Sequence, residues 1–404
     1  MRRAKIASLL AFALLLSNCR AAVRTGLDNV GSHSRLFQGK RIGIITNHTG
    51  YASDGNFIVD ILRQIPAARV TALFGPEHGF HGVEQAGKQI DSNTHPVYRV
   101  PIYSLYGKTR KPTREMLADV DVLVFDIQDI GARFYTYIYT MSLAMEAAAE
   151  CAKRFVVLDR PNPITGLCVE GNILEPEFAS FVGLYPIPPR HGMTVGELAT
   201  MFNSEGWLAG GVRADLAVVP LTDWRRGTWY DRTGLRFIKP SPNMPDLQTA
   251  AVYPGLCLLE GTNLSEGRGT DMPFRRFGAP WIEPQTLAAR LNALKLPGVR
   301  FEPASFTPAA SKFKGRRCHG VKIAVTNSDI LRPYWTGIRI VNEIRRLYPA
   351  EFQWRASHFD RLCGTSEIRR AIANRSSLDQ LRKSWRPAVE SFMRIRKKYL
   401  LYPE

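Results

Sequence analysis

Residues 121–163, DVLVFDIQDIGARFYTYIYTMSLAMEAAAECAKRFVVLDRPNP, read as a strand, a helix and a second strand. The run Val120–Asp126 is short, continuous and rich in Val, Leu and Phe, the texture of a strand buried on both faces of a parallel sheet. Thr136–Lys153 combines strong helix formers with neither Gly nor Pro. Phe155–Asp159 then returns to strand texture. The same kind of run recurs upstream at Arg41–Thr46 and Arg69–Phe74 and downstream at Leu216–Leu221. Strands alternating with helices predict an α/β fold, a doubly wound and mostly parallel sheet.

Around 240–254 the texture changes. Pro240, Pro242, Pro245 and Pro254 punctuate a polar stretch that reads as a connection between domains. Beyond it lies a smaller α+β region, with a strand at Val321–Thr326 and helices near Pro284–Leu294 and Tyr334–Leu347. In residues 364–400 ten Lys and Arg stand against three acids. Leu378, Leu381, Trp385, Val389, Phe392 and Met393 recur there at near-helical spacing, predicting one amphipathic terminal helix with a solvated basic face. The predicted division is a leader over 1–22, an N-terminal domain over 23–250 and a C-terminal domain over 251–404.

The chain of 404 residues is 45% hydrophobic, enough for a sizeable core, and carries a formal charge of +18. The first 22 residues hold Arg2, Arg3, Lys5 and Arg20 and no acid, so the rest still carries +14. That charge favours anionic partners. Arg2, Arg3 and Lys5 precede an apolar run, Ile6–Leu16, too short to span a bilayer, and small or polar residues follow. This is the layout of an export signal. Leu16-Ser17-Asn18-Cys19 resembles a lipoprotein cleavage box, apart from the bulk of Asn18. The expected location is the periplasm or cell envelope, with Cys19 as the sole candidate membrane anchor, and for an exported chain nucleic acid is not an expected partner despite the charge. Cys151, Cys168, Cys257, Cys318 and Cys363 are widely spaced and form no CxxC pair, which argues against structural zinc and leaves one or two disulfides or buried thiols open.

Function in an open α/β sheet gathers at the carboxyl ends of the strands. Four such ends are crowded with polar groups. The first carries Asn47, His48 and Thr49. The second carries Glu77, His78 and His81 among glycines. The third carries Asp126, Gln128, Asp129, Arg133 and Tyr135, and the fourth Asp159, Arg160 and Asn162. No GxGxxG follows a strand, so a dinucleotide is not expected. Gly82, Gly87 and Lys88 have phosphate-loop spacing, but Gln89 occupies the place of the magnesium-binding hydroxyl. No GxSxG is present.

Glu77-His78 admits three readings: a general acid or base tuned by its imidazole neighbour, a metal site with His81, or a self-satisfied loop. Asp126 and Asp129 could be catalytic, or could cap the following turn, with Asp129 as N-cap of a 134–153 helix and Arg133 as a neutralising partner. A further cluster runs Glu260-Gly261-Thr262-Asn263-Leu264-Ser265-Glu266-Gly267-Arg268-Gly269-Thr270. Its glycines predict a shaped loop in which backbone can approach a ligand, with Arg268 suited to a carboxylate. Tyr253 and Trp281 offer rings on which a sugar could stack.

ITNHTG (45–50), LFGPEHGFHG (73–82), VFDIQDIGARFYTYIYTM (124–141), VLDRPNPITG (157–166), RHGMTVGELA (190–199), SPNMP (241–245) and YPGLCLLEGTNLSEGRGT (253–270) occur in that order. Together they resemble the exo-acting β-N-acetylmuramidase family of bacterial cell-wall hydrolases, from about residue 25 to the end. The resemblance implies a Rossmann-like first domain, a smaller second domain and a cleft between them. It implies release of N-acetylmuramic acid from the non-reducing end of peptidoglycan fragments, with no metal or nucleotide cofactor. One departure stands out: where the family continues PFE after GRGT, this chain has Pro273-Phe274 followed by Arg275 and Arg276.

Glycoside hydrolysis generally uses two carboxyl groups. Glu77 is the expected general acid beside His78, with Asp126, Asp129, Glu260 or Glu266 as the second group. Asn47, His48, Gln128, Arg133, Tyr135, Arg160, Asn162, Glu260, Asn263 and Arg268 are the expected substrate contacts, with Arg133, Arg160 or Arg268 meeting the lactyl carboxylate. Two other readings compete: an envelope protein that captures muramyl saccharides without turnover, and a metal-dependent hydrolase using His48, His78 and His81.

Overall fold

A computed structural model describes residues 22–82, 84 and 93–404. The predicted leader through residue 21, Cys19 and the residues Gly87, Lys88 and Gln89 lie outside the described residues. Seven strands form the larger sheet: β1 (Arg41–Thr46), β2 (Arg69–Gly75), β3 (Asn93–Thr94), β4 (Pro101–Ser104), β5 (Val122–Asp126), β6 (Arg154–Leu158) and β7 (Asp215–Val219). Their spatial order is β3-β4-β2-β1-β5-β6-β7. All neighbours run parallel except β3 with β4. The five strands read from the sequence are therefore present within two residues at each end. β3 and β4 escape such a reading because they are short and β4 opens on a proline.

Every residue of β5 is buried, as a central strand covered on both faces requires. Thr46 of β1 pairs with Asp126 of β5, so the polar loops after these strands start at the same level. The helix Tyr137–Glu150 is buried over most of its surface. It begins after Thr136, so Asp129 is not its N-cap; Asp129 instead accepts from the Gly131 N–H at 2.6 Å and fixes the turn that precedes the helix. The helix Val195–Ser204 opens on a capping box made by Thr194 and Glu197.

The second sheet is antiparallel and three-stranded, in the order β8-β10-β9, from β8 (Arg276–Ala279), β9 (Val299–Phe306) and β10 (Cys318–Val325). The proline-marked stretch is not a loop throughout. Leu247–Leu256 is a buried helix with Pro254 inside it, started by Asp246, whose side chain accepts from Thr249 N–H. It crosses the helix Pro333–Leu347 so closely that a Cβ on Gly255 would collide with the backbone at Pro333. The basic tail is three helices rather than one: Glu367–Ala373, Leu378–Ser384 and Arg386–Lys397. Ser377 caps the second, and Pro387 sits in the first turn of the third, where its missing N–H costs nothing. All five described cysteines are free thiols.

One hydrophobic cluster runs from Phe125 and Ile138 through Leu256 to Phe277, Val321 and Ile340, so both sheets share a core. The chain end also returns to the first sheet. Arg396 donates to the carbonyls of Gly166 and Gly192, Leu401 N–H to Glu197, and the Tyr402 hydroxyl to Asp159. Arg133 is the other tie. Fully buried, it donates from Nη1 to the carbonyls of Asn172 and Ile187 (3.3 and 2.9 Å) and from Nη2 to those of Leu362 and Cys363 (2.9 and 2.7 Å). Its charge is solvated by backbone dipoles from both halves of the chain. Replacing it with an apolar side chain of similar length strands those carbonyls. Arg133→Met is expected to lower stability by about 3 kcal/mol or more, read as a fall in the urea midpoint; an unchanged midpoint would contradict this role.

Candidate active site

The turn after β2 places Glu77. Gly79 N–H closes it onto the Pro76 carbonyl at 2.9 Å, and His78 takes a left-handed conformation at φ 71°, unusual for a side-chain-bearing residue. Such strain persists where surroundings impose it, often at functional sites. Here His78 Nδ1 faces the Glu84 carbonyl at 2.7 Å, so Nδ1 carries the proton and donates. Burial pushes the imidazole pKa down, outweighing the pull of Glu77, and His78 is neutral near pH 7. Glu77 Oε2 accepts from the Thr136 hydroxyl at 2.8 Å. Thr136 occupies the N-cap position of Tyr137–Glu150 but makes no side-chain cap bond; its hydroxyl serves Glu77 instead.

The opposite wall comes from the second half of the chain. Glu260 sits in the short 3-10 helix Cys257–Gly261. Arg268 Nη2 donates to Glu260 Oε1 at 2.7 Å, Arg268 Nε lies 3.4 Å from Glu266 Oε1, and the guanidinium lies over the Phe274 ring. Lys312 Nζ stands 3.0 Å from Glu266 Oε2 and donates to the carbonyls of Leu259 and Leu264. His358 Nε2 lies 3.6 Å from Glu260 Oε2. Burial alone would raise the Glu260 pKa, but Arg268 and His358 outweigh it and hold the carboxyl at about 2. Glu260 is therefore an anion near neutral pH.

Glu77, His78, Tyr135, Glu260, Arg268 and His358 border one cavity of about 290 Å³ between the β2 turn and this wall. Glu266 stands directly behind Arg268. With Tyr253, which lines the same cavity, six residues picked out in the sequence thus converge on one space. Sequence reasoning missed Thr136, which lies inside the 124–141 motif but reads there only as the start of a helix, and His358 and Lys312, which sit in no motif; each gains its place through a contact distant in the chain.

Other expected site residues go elsewhere. Asp126 is fully buried in a bidentate pair with Arg160 (2.5 and 2.8 Å). Asn162 ties Met193 to Ile164, and Asn263 clamps Glu351 and Gln353, both through backbone. Asn47 accepts from Thr49, His48 bonds the Lys239 carbonyl at 2.6 Å, and Gln128 donates to the carbonyls of Asp129 and Pro161. Apart from Asn263, which follows the 3-10 helix Cys257–Gly261, these residues build the loops after the strands, and Arg133 joins the two halves. Short polar side chains at strand ends have this alternative because turns leave backbone groups unpaired. Among the described residues no three His, Cys, Asp or Glu side chains converge as metal ligands would. Arg275, at the position where the related pattern has Glu, pairs with Asp246 at 2.9 Å.

Asp129 is also buried, and without a cationic partner burial pushes its pKa up to about 7. The folded state thus favours the protonated acid, and stability falls as pH rises from about 4 to about 7, where the unfolded chain ionises first. Asp129→Asn removes that term. The variant is expected to match the wild type near pH 4 and to exceed it by up to a few kcal/mol at pH 8 in denaturant titrations. A constant difference across that range would contradict the assignment.

Two family models match the chain, described as Exo-beta-N-acetylmuramidase NamZ, N-terminal, over residues 42–248, and the C-terminal counterpart over residues 251–402. A curated relative, the peptidoglycan beta-N-acetylmuramidase NamZ of Bacillus subtilis (strain 168), is 50% identical over 382 residues, 94% of this chain and 91% of the relative. Two crystal structures of DUF1343 family proteins from Bacteroides fragilis NCTC 9343 superpose with TM-scores of 0.88 and 0.79, at 40% and 34% identity. Each alignment covers 95% of this chain and all of the other. By sequence over nearly its whole length, and by fold, the chain belongs to the exo-β-N-acetylmuramidase NamZ family.

Proposed function

We propose that this protein is an exo-acting glycoside hydrolase that releases N-acetylmuramic acid from the non-reducing end of peptidoglycan fragments, with Glu77 as the proton donor. The observation that carries the residue assignment is the pairing of two unlike carboxyl groups across one cavity. Glu260 is pinned as an anion by Arg268, whereas Glu77 has a hydroxyl donor, a neutral imidazole and, among the described residues, no ion pair. Two carboxyl groups in contrasting surroundings are what acid-assisted cleavage of a glycosidic bond calls for.

In this scheme Glu77 delivers its proton to the glycosidic oxygen as the bond to the anomeric carbon breaks. Positive charge grows on the sugar ring, and the fixed anion Glu260 faces it across the cavity; a water then adds to the anomeric carbon, and the proton it sheds restores Glu77 for the next cycle. Arg268 keeps N–H groups beyond those given to Glu260 and Glu266, and these suit the lactyl carboxylate that distinguishes muramic acid. A cavity of about 290 Å³ fits a single substituted sugar better than a chain, in keeping with attack at an end. The proposal includes export: the basic and apolar leader of residues 1–22 supports it, with Cys19 as candidate lipid attachment. Among the described residues no helix is long and apolar enough to cross a membrane.

Incubating the protein with a MurNAc–GlcNAc disaccharide is expected to yield free N-acetylmuramic acid; intact disaccharide would refute the reading. Glu77→Gln is expected to lower kcat by about 10²–10⁴-fold with KM changed little, the signature of a lost proton donor. Arg268→Lys keeps the charge but loses the planar fork, and is expected to raise KM about tenfold or more for muramyl substrates. Equal effects of both substitutions on kcat alone would contradict the division of roles.

A further inference from the structure

A second cavity, of about 580 Å³, opens where the loops after β1, β5 and β6 meet. In the strand order, β2 lies on one side of β1 and β5 on the other, so the connections leaving β1 and β5 diverge and leave a crevice at their carboxyl ends. Glu77 follows β2 and serves the other cavity, so the fold offers two separate concavities along one row of strand ends.

The chemistry of this second space is specific. Arg160 commits Nε and Nη2 to Asp126 and Nη2 also to the Tyr51 carbonyl, which leaves Nη1 over for the cavity. Arg236, exposed and without an ion pair among the described residues, adds a second guanidinium at the rim. Gln128 lines the floor; its Nε2 is held by two carbonyls, while its buried Oε1 accepts nothing from the protein. Tyr51 is 41% exposed at the mouth and its ring leans on Phe57 at 5.0 Å. Donors for an anion, an unfilled acceptor and an aromatic ring together match a hydroxylated ring that bears a carboxylate. Catalytic means are lacking. Asp126 lies locked beneath Arg160, and Asp54 at the rim is bound within its own turn by Asn56.

We propose that this cavity is a second, non-catalytic saccharide site that takes an acidic amino sugar, its carboxylate toward Arg160 and Arg236 and its ring against Tyr51. The carboxylate and the ring follow from the lining; the choice of an amino sugar rests on the muramidase reading.

The test is calorimetric titration of N-acetylmuramic acid into the wild type and the double variant Tyr51→Ala/Arg236→Glu, with N-acetylglucosamine as the probe lacking the carboxylate. Both substituted side chains are solvent-exposed, and an unchanged thermal midpoint verifies the fold. The variant is expected to lose one binding event, or to weaken it about tenfold or more, while disaccharide hydrolysis stays at the wild-type rate. Superimposable isotherms, or a crystal soak showing the sugar in the Glu77 cavity alone, would overturn the proposal. Equal binding of N-acetylglucosamine would overturn the carboxylate preference. A wild type without hydrolysis would refute the muramidase reading, yet the titration would still report on the second site.

Discussion

Arg268 stands between Glu260 and Glu266, and that arrangement sets the charge of the wall facing Glu77. Two carboxylates this close would repel and draw protons without a cation between them. With Arg268 in place, and Lys312 behind Glu266, Glu260 is held as an anion at about 2 despite its burial. The glycines of the 260–270 loop let the backbone fold tightly enough to bring these groups together. Gly267 and Gly269 both adopt positive φ, and at each a Cβ would strike a neighbouring backbone atom. The charge of this wall therefore depends on a glycine-shaped loop that is irregular beyond Gly261.

That wall would have no meaning without a fixed relation to the β2 turn. The two sheets share one core, Arg133 joins carbonyls from residues 172–187 to those at 362–363, and the chain end packs back beside Asp159 and Glu197. These contacts are buried and strongly polar, so loosening one exposes unpaired groups rather than merely losing packing. The cleft is held by the same residues that close the molecule.

The parallel sheet was legible because its strands are continuous apolar runs, and the crossover helix because it lacks Gly and Pro. The limits were equally physical. Leu247–Leu256 looks like a loop because it contains a proline, yet Asp246 starts it and packing against Pro333–Leu347 maintains it. The terminal helices look continuous in hydrophobic spacing but are divided by a Ser cap and a proline. At the site, motif and strand-end position picked out Glu77, His78, Tyr135, Glu260 and Arg268. They could not separate these from Asp126, Arg133, Asn162 and Asn263, because a polar side chain at a strand end can face a ligand or satisfy a turn. Only the three-dimensional partner decides, as the Arg160 guanidinium does for Asp126.

The central claim is that one sugar sits between Glu77 and the Arg268 wall. The most direct measurement is a crystal structure of the Glu77→Gln protein with an uncleaved MurNAc–GlcNAc disaccharide. The account predicts the substituted amide within about 3 Å of the glycosidic oxygen and the lactyl carboxylate on Arg268. A disaccharide whose glycosidic oxygen lies far from position 77, with its carboxylate turned away from Arg268, would contradict it.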